Sequence, residues 1–256
     1  MYHAIIQARM GSKRLPGKSL LSYKNTTPLE VLIKRIKKVK EINKIIIATT
    51  NLKKDNIFLK YAKKLNIKIF RGSNKNVLKR YYTAAKFFNS KNIIRLTADC
   101  PFIDVATLNK MINIFNSKKF DYVANTYPLP CTFPDGSDIE IFNFKSLKKS
   151  NEEACLPSDK EHVTKYFWNS KKFRCFRLDN KSNFSKYRYT IDIKEDFDLF
   201  KSIIKNHSNF LKINMRCIIK FIDQNPKIVK YQKKLKRNFG WDESLKQDKL
   251  YKNANK

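Results

Sequence analysis

Four short apolar runs, YHAIIQ at 2–7, KIIIAT at 44–49, IKIF at 67–70 and NIIRLT at 92–97, alternate with longer amphipathic stretches. Runs of this length, dense in Ile, read as strands buried on both faces. The stretches between them, at 28–39, 55–65 and 76–89, carry helical spacing. The first opens on Thr27-Pro28-Leu29-Glu30, a capping box with Pro at the first helical position, and continues through Val31, Leu32, Ile36 and Val39. Strands alternating with helices of this size build βαβ units, because each helix must cross the sheet before the chain can re-enter it in parallel. The expected fold is therefore α/β, a Rossmann-like, doubly wound and mostly parallel sheet.

The second half is less regular. A helix at about 104–117 opened by Asp104 and a strand at 121–124 precede a polar, proline-containing loop at 125–137. A strand (DIEIFNF) and a helix near 144–154 follow. Ser158-Asp159-Lys160-Glu161 reads as a second capping box opening a helix to about 169. Further strands are expected at 173–178 and 187–192, and helices at 194–206 and 215–235. A chain of 256 residues can close one sizeable core. The reading is a single domain over 1–240 and a polar, lysine-rich tail over 241–256 that frays.

A formal charge of +33 invites a nucleic-acid reading. Only eleven of the 55 basic residues are Arg, and the lysines are spread along the whole chain at polar helical positions. A dedicated binder clusters its charge and sets Arg against base edges, so no specific nucleic-acid partner is expected. No apolar run reaches the roughly 18 residues of a membrane span, so no membrane partner is expected either. Five scattered cysteines without a CxxC spacing argue against a disulfide framework or a zinc site and point to a reducing cytoplasm.

Glycine is scarce: Gly11, Gly17, Gly72, Gly136 and Gly240 are all there are. Two of them lie in the loop after the first strand, Ala8-Arg9-Met10-Gly11-Ser12-Lys13-Arg14-Leu15-Pro16-Gly17-Lys18-Ser19. Close backbone approach beside Arg9, Lys13, Arg14 and Lys18 suits a polyphosphate, which wants inward N–H groups and neutralising cations. A P-loop it is not. Five residues separate Gly11 from Gly17 where that motif has four, Pro16 interrupts it, and no helix follows the lysine.

Asp99 follows the strand NIIRLT. In a doubly wound sheet of order 3-2-1-4 that strand lies beside the first, and ligands bind where their carboxyl ends flank the switch point. A carboxylate there either ligates Mg²⁺ or caps the turn before Pro101. Asp192 ends RYTID, while Glu195 and Asp196 cap the next helix. Arg188 pairs with a phosphate or carboxylate, or forms an internal salt bridge. Alternation along 138–141 sets Asp138 and Glu140 on one face, either towards sugar hydroxyls or as solvated edge charge.

QARMGSKRLPGK resembles the nucleotide-binding loop of the sugar cytidylyltransferases. The resemblance continues in order through FRGSNKNVLKRYYTAAK, RLTADCPFID, DYVANTYPLPCTFPDGSDIEIF, EHVTKYFWN, RYTIDIKEDFDLF and KFIDQNPKIVKYQKKLKRNFG. It is most like the spore coat polysaccharide biosynthesis protein F family, relatives of the 3-deoxy-manno-octulosonate and acylneuraminate cytidylyltransferases. The resemblance implies the nucleotide-diphospho-sugar transferase type of Rossmann-like fold and transfer of CMP from CTP to an acidic sugar, with Mg²⁺ held by Asp99 and Asp192. It implies a nucleotide site from Ala8, Arg9, Met10, Gly11, Ser12, Arg14, Lys18, Arg71, Ser73 and Asp99, with Arg14 and Lys18 acting on the leaving group. Asp138, Glu140, Glu161, His162 and Arg188 fall to the acceptor side. A homodimer is expected through an arm at 125–143, where Tyr127, Leu129, Phe133 and Ile139 stand outside the βαβ pattern. Two alternatives stay open: a sugar 1-phosphate or phosphonate acceptor, and a non-catalytic nucleotide- or polyanion-binding protein.

Overall fold

The computed structural model describes residues 1–232, Leu235, Arg237 and 241–254. The elements run β1 (Tyr2–Gln7), α1 (Pro28–Ile36), β2 (Ile42–Thr50), α2 (Ile57–Lys64), β3 (Lys68–Gly72), α3 (Val77–Phe87), β4 (Asn92–Thr97), α4 (Val105–Asn116) and β5 (Tyr122–Ala124). They continue as β6 (Glu140–Asn143), α5 (Phe144–Glu153), α6 (Pro157–His162), α7 (Lys165–Asn169), β7 (Cys175–Arg177), α8 (Lys194–Asn206), α9 (Met215–Asp223), α10 (Pro226–Gln232) and α11 (Trp241–Ala254). Seven strands form one sheet in the order β3-β2-β1-β4-β6-β5-β7. All neighbours are parallel except those of β6, which runs against both β4 and β5.

Strand alternation explains the layers. On β1, Ala4 and Ile6 face a core shared with α1, α4, α8 and α9, while Ile5 faces a second core shared with α3, α5 and α7. On β2, Ile45 and Ile47 join the first core, Ile46 and Ala48 the second. Each buried Ile contributes about 1.5–3 kcal/mol, which is why these runs have no polar face to spare. Helix α1 begins as the sequence predicts. The Thr27 side chain accepts from Glu30 N, and Glu30 accepts in return from Thr27 N at 2.8 Å.

Four sequence expectations are corrected. Residues 187–192 form no sheet strand; the segment is extended and its N–H groups go to two other loops, Tyr189 to Asp135 O and Ile191 to Asp99 O, each at 2.8 Å. The helix expected from Ser158 to 169 is two short helices, and Ser158 does not cap it. The Ser158 backbone and hydroxyl both donate to Asp248, and Leu156 is the N-cap. The helix expected over 215–235 breaks between α9 and α10 at Pro226, whose ring cannot continue a helix; Lys233 and Lys234 lie outside the described residues. The stretch read as a fraying tail carries α11, docked on α6, with Ser244 and Asp248 buried. Gly240, the expected boundary, and Asn255 and Lys256 also lie outside the described residues.

The 125–143 segment does not leave the apolar surface expected of an arm. Phe133 and Ile139 are buried in the chain's own core, and Tyr127 stacks against Trp241 at 5.4 Å. Of the four residues singled out there, Leu129 alone is exposed, so unburied apolar groups give no reason for a dimer. Among the described residues no helix is long and apolar enough to cross a membrane.

Candidate active site

Strands β1 and β4 end together, Gln7 opposite Thr97, so the loop after β1 and Asp99 face each other across one crevice. The loop is fastened from below. Ala8 N reaches Ala48 O at 3.3 Å, Met10 N donates to buried Asp55 at 2.7 Å, and Gly17 N returns to Met10 O at 3.1 Å. Gly17 has φ 67°, the left-handed geometry that lets the chain double back towards Lys18. A Cβ at Gly11 would meet only the flexible end of Lys54. Ser12 accepts from Leu15 N at 3.4 Å within the loop.

Lys18 is where these elements converge. Its ammonium bonds the Asp99 carboxylate and lies 2.7 Å from Asp192 Oδ1. Arg14 reaches the same Asp192 oxygen at 3.0 Å. Burial alone would lower the Lys18 ammonium, but Asp99 and Asp192 outweigh it and raise it above its ordinary value. Burial would likewise raise the Asp192 carboxyl, yet Lys18 and Arg188 hold it below the usual carboxylate range. The main chain brings the two aspartates together: Ile191 N donates to Asp99 O, and Thr190 Oγ1 approaches the same carbonyl at 3.3 Å. Gly136, at φ 102°, lets the 134–138 turn press on this segment; a Cβ there would lie 2.3 Å from Thr190 N.

Arg188 is the internal salt bridge, not a free phosphate ligand. It bonds Asp135, Asp192 at 2.8 Å and Asp196 at 3.0 Å. Asp196 also accepts from Asp192 N at 2.8 Å, the local capping role expected of it. Asp138 lies outside the sheet and accepts from Gly136 N at 2.9 Å. Glu140 is neither a solvated edge charge nor an open sugar ligand. It stands directly opposite Arg95 in the β4–β6 pairing and binds that guanidinium, with Tyr122 at 2.5 Å and Thr164 also donating to it. Glu140→Ala would strand the Arg95 charge in the core, an expected loss of about 3–5 kcal/mol by urea denaturation. A loss below about 1 kcal/mol would show that the pair does not support the fold.

Glu161 and His162 end α6, and Glu161 meets Arg9 of the loop at 3.2 Å, so α6 borders the same crevice. Burial, then Arg95 and Lys165, push the His162 imidazole down to about 4. At the far side, Arg71 donates to Thr50 O at 3.2 Å and Ser73 accepts from Asn76 N at 3.0 Å, so both side chains brace the ends of β2 and α3. Sequence reasoning missed Asp55, Asp135, Arg95, buried Arg80 and the α11 residues. Asp55 sits five residues from Thr50, whose hydroxyl it accepts, and Arg80 seven from Ser73, to whose carbonyl it donates; the partners of Arg95, Asp135 and Asp248 lie 45 or more positions away, beyond any local pattern.

Among the described residues no group of three or more His, Cys, Asp or Glu side chains forms a metal cage. Asp99 and Asp192 nevertheless converge on one cation, the Lys18 ammonium. Two carboxylates completed by phosphate oxygens and water are a donor set that suits Mg²⁺.

The switch-point crevice sets a fastened basic loop opposite paired aspartates, a charge pattern that suits a polyphosphate, and the class of protein is nucleotidyltransferase. The profile of the cytidylyltransferase family matches residues 3–238, and the chain belongs to that family. It is 33% identical over 230 residues to the spore coat polysaccharide biosynthesis protein SpsF of Bacillus subtilis, covering 87% of this chain and 94% of that one. A cytidylyltransferase structure from Leptospira borgpetersenii superposes with TM-score 0.82 at 37% identity, over 89% of this chain and 96% of that one. The CMP-2-keto-3-deoxy-manno-octonic acid synthetase solved with CTP shares the fold, at TM-score 0.62 and 14% identity over 80% and 98% of the two chains.

Proposed function

We propose that the chain transfers CMP from CTP to an acidic sugar and releases pyrophosphate, in the cytoplasm. The observation that carries the reading is Lys18 set between Asp99 and Asp192, with Arg14 beside it, where β1 and β4 end. An acceptor oxygen attacks the α-phosphorus; the bond to the bridging oxygen breaks, pyrophosphate leaves with the electron pair, and the acceptor proton passes to solvent. Asp99 and Asp192 would hold Mg²⁺, which when bound neutralises phosphate charge. Lys18 and Arg14 bind the β- and γ-phosphate oxygens and stabilise the leaving group. The main chain of Ala8, Arg9, Met10, Gly11 and Ser12 lines the nucleotide, with Arg71 and Ser73 on the base side. Asp138, Glu161 and His162 border the acceptor. Glu140 and Arg188, already enclosed by partners, set the shape of that side.

The test is pyrophosphate release with four nucleoside triphosphates and Mg²⁺ against a panel of sugar acids, sugar 1-phosphates and phosphonates. Cytosine offers an amine donor where uracil has a carbonyl, and a fixed site leaves one polar group unpaired with the wrong base. CTP is expected to be preferred over UTP by at least about tenfold, roughly 1.4 kcal/mol. Equal turnover of UTP, or a preference for ATP, would overturn the cytidylyl assignment. Turnover of a sugar 1-phosphate or phosphonate but no sugar acid would replace the acceptor class.

A further inference from the structure

Helix α11 begins beyond residues 3–238, the stretch matched by the family profile. Its docking is polar and buried. Asp248 accepts from Ser158 N at 2.9 Å and from Lys165 Nζ at 2.9 Å, both at the α6–α7 corner. This fixes the preceding turns of α11 against His162. Trp241 stacks on the imidazole at 4.3 Å between ring centres, 18° from parallel, and Tyr127 lies on Trp241 at 5.4 Å.

The Ser244 hydroxyl bonds to the same ring. Ser244 Oγ lies 2.7 Å from His162 Nε2 and donates to Trp241 O at 2.9 Å. A hydroxyl has one proton. Donated to the Trp241 carbonyl, that proton leaves Oγ a lone pair for His162, which makes Nε2 the N–H and Nδ1 the acceptor; donated to Nε2, it would make Nδ1 the N–H. The burial that pushes His162 down to about 4 keeps the ring neutral, as a single tautomer requires.

We propose that Ser244 and Trp241 are positioning residues that hold His162 in one orientation as the Nε2–H tautomer, leaving Nδ1 to accept a hydrogen bond from the sugar hydroxyls. The inference rests on the reading above that His162 borders the acceptor, and it adds α11 to that half of the site. A neighbouring link, Lys13 to Glu243 at 3.2 Å, joins α11 to the nucleotide loop, but both groups are exposed and it contributes little.

The experiment uses the full chain labelled with ¹⁵N in its histidine rings, with the His162 signals assigned through His162→Gln. Wild type is expected to show a pyrrole-type Nε2 and a pyridine-type Nδ1. Ser244→Ala is expected to give averaged signals from both tautomers, and Ser244→Thr, which keeps the hydroxyl, to restore the single form. Trp241→Phe, which keeps a stacking ring, should behave as wild type. In kinetics, Ser244→Ala is expected to raise KM for the sugar acid turned over in the panel by about five- to tenfold, the value of one hydrogen bond, with KM for CTP within twofold. An Nδ1–H wild type, or a wild-type ring spectrum in Ser244→Ala, overturns the positioning role whatever the activity. A changed ring spectrum with an unchanged KM for the sugar acid overturns instead the placing of His162 at the acceptor.

Discussion

Lys18→Ala is expected to lower kcat/KM for the CTP reaction by about 2–4 kcal/mol, roughly 30- to 1,000-fold, the range found when one preorganised donor to a developing anion is lost. The ammonium is held charged by two carboxylates and tethered by a loop whose backbone is pinned to Asp55 and Met10. It is therefore already charged and held in the crevice when it exchanges these carboxylates for the leaving pyrophosphate. The same substitution leaves Asp99 without its ion pair, facing an Asp192 that Arg14 and Arg188 still hold. The variant should melt below wild type and recover part of that loss in millimolar Mg²⁺. Wild-type turnover in Lys18→Ala would remove this residue from the phosphate site.

Asp99→Asn and Asp192→Asn should each cost at least about a hundredfold in turnover and blunt the response to divalent cations, since replacing even groups that only orient a metal ligand costs 10- to 100-fold. Their stabilities should differ. Asp99 holds Lys18, whereas Asp192 also holds Arg14 and Arg188, so Asp192→Asn should lower the urea midpoint more. The acid limb separates them further. A carboxyl held below the usual range stabilises the fold above about pH 3.9 and loses that contribution as pH falls through its depressed value. Asp192→Asn should flatten acid unfolding there. If both variants kept the wild-type Mg²⁺ response, the two-aspartate assignment would fail.

The parallel half of the fold was legible because its signals are local. Ile-rich runs set both faces of β1 and β2, and Thr27 and Glu30 cap each other across three residues. The crevice followed from strand order alone, once β4 was placed beside β1. What escaped depends on pairing at a distance. Alternation set Asp138 and Glu140 on one face, but Asp138 lies outside the strand, and nothing local shows that Arg95 stands opposite Glu140. RYTID has strand composition, yet its N–H groups are taken by two loops rather than by a neighbouring strand. Ser158-Asp159-Lys160-Glu161 satisfies the capping pattern, but Asp248, ninety residues on, claims the Ser158 hydroxyl. Helix α11 shows no strong apolar stripe because its anchors are Ser244 and Asp248, polar residues that look like surface until their partners are known.

The hydrogen bond from Ile191 N to Asp99 O has a consequence for how this chain tolerates change. The spacing of the two aspartates is written in main-chain atoms that every residue except proline supplies at position 191. An exchange of side chain at 191 therefore keeps this hydrogen bond, and the surface lysines that carry the charge to +33 take no part in it. Proline at 191 is the one substitution that deletes this strut outright. The cost of such a change would fall on the distance between Asp99 and Asp192 before it fell on the fold.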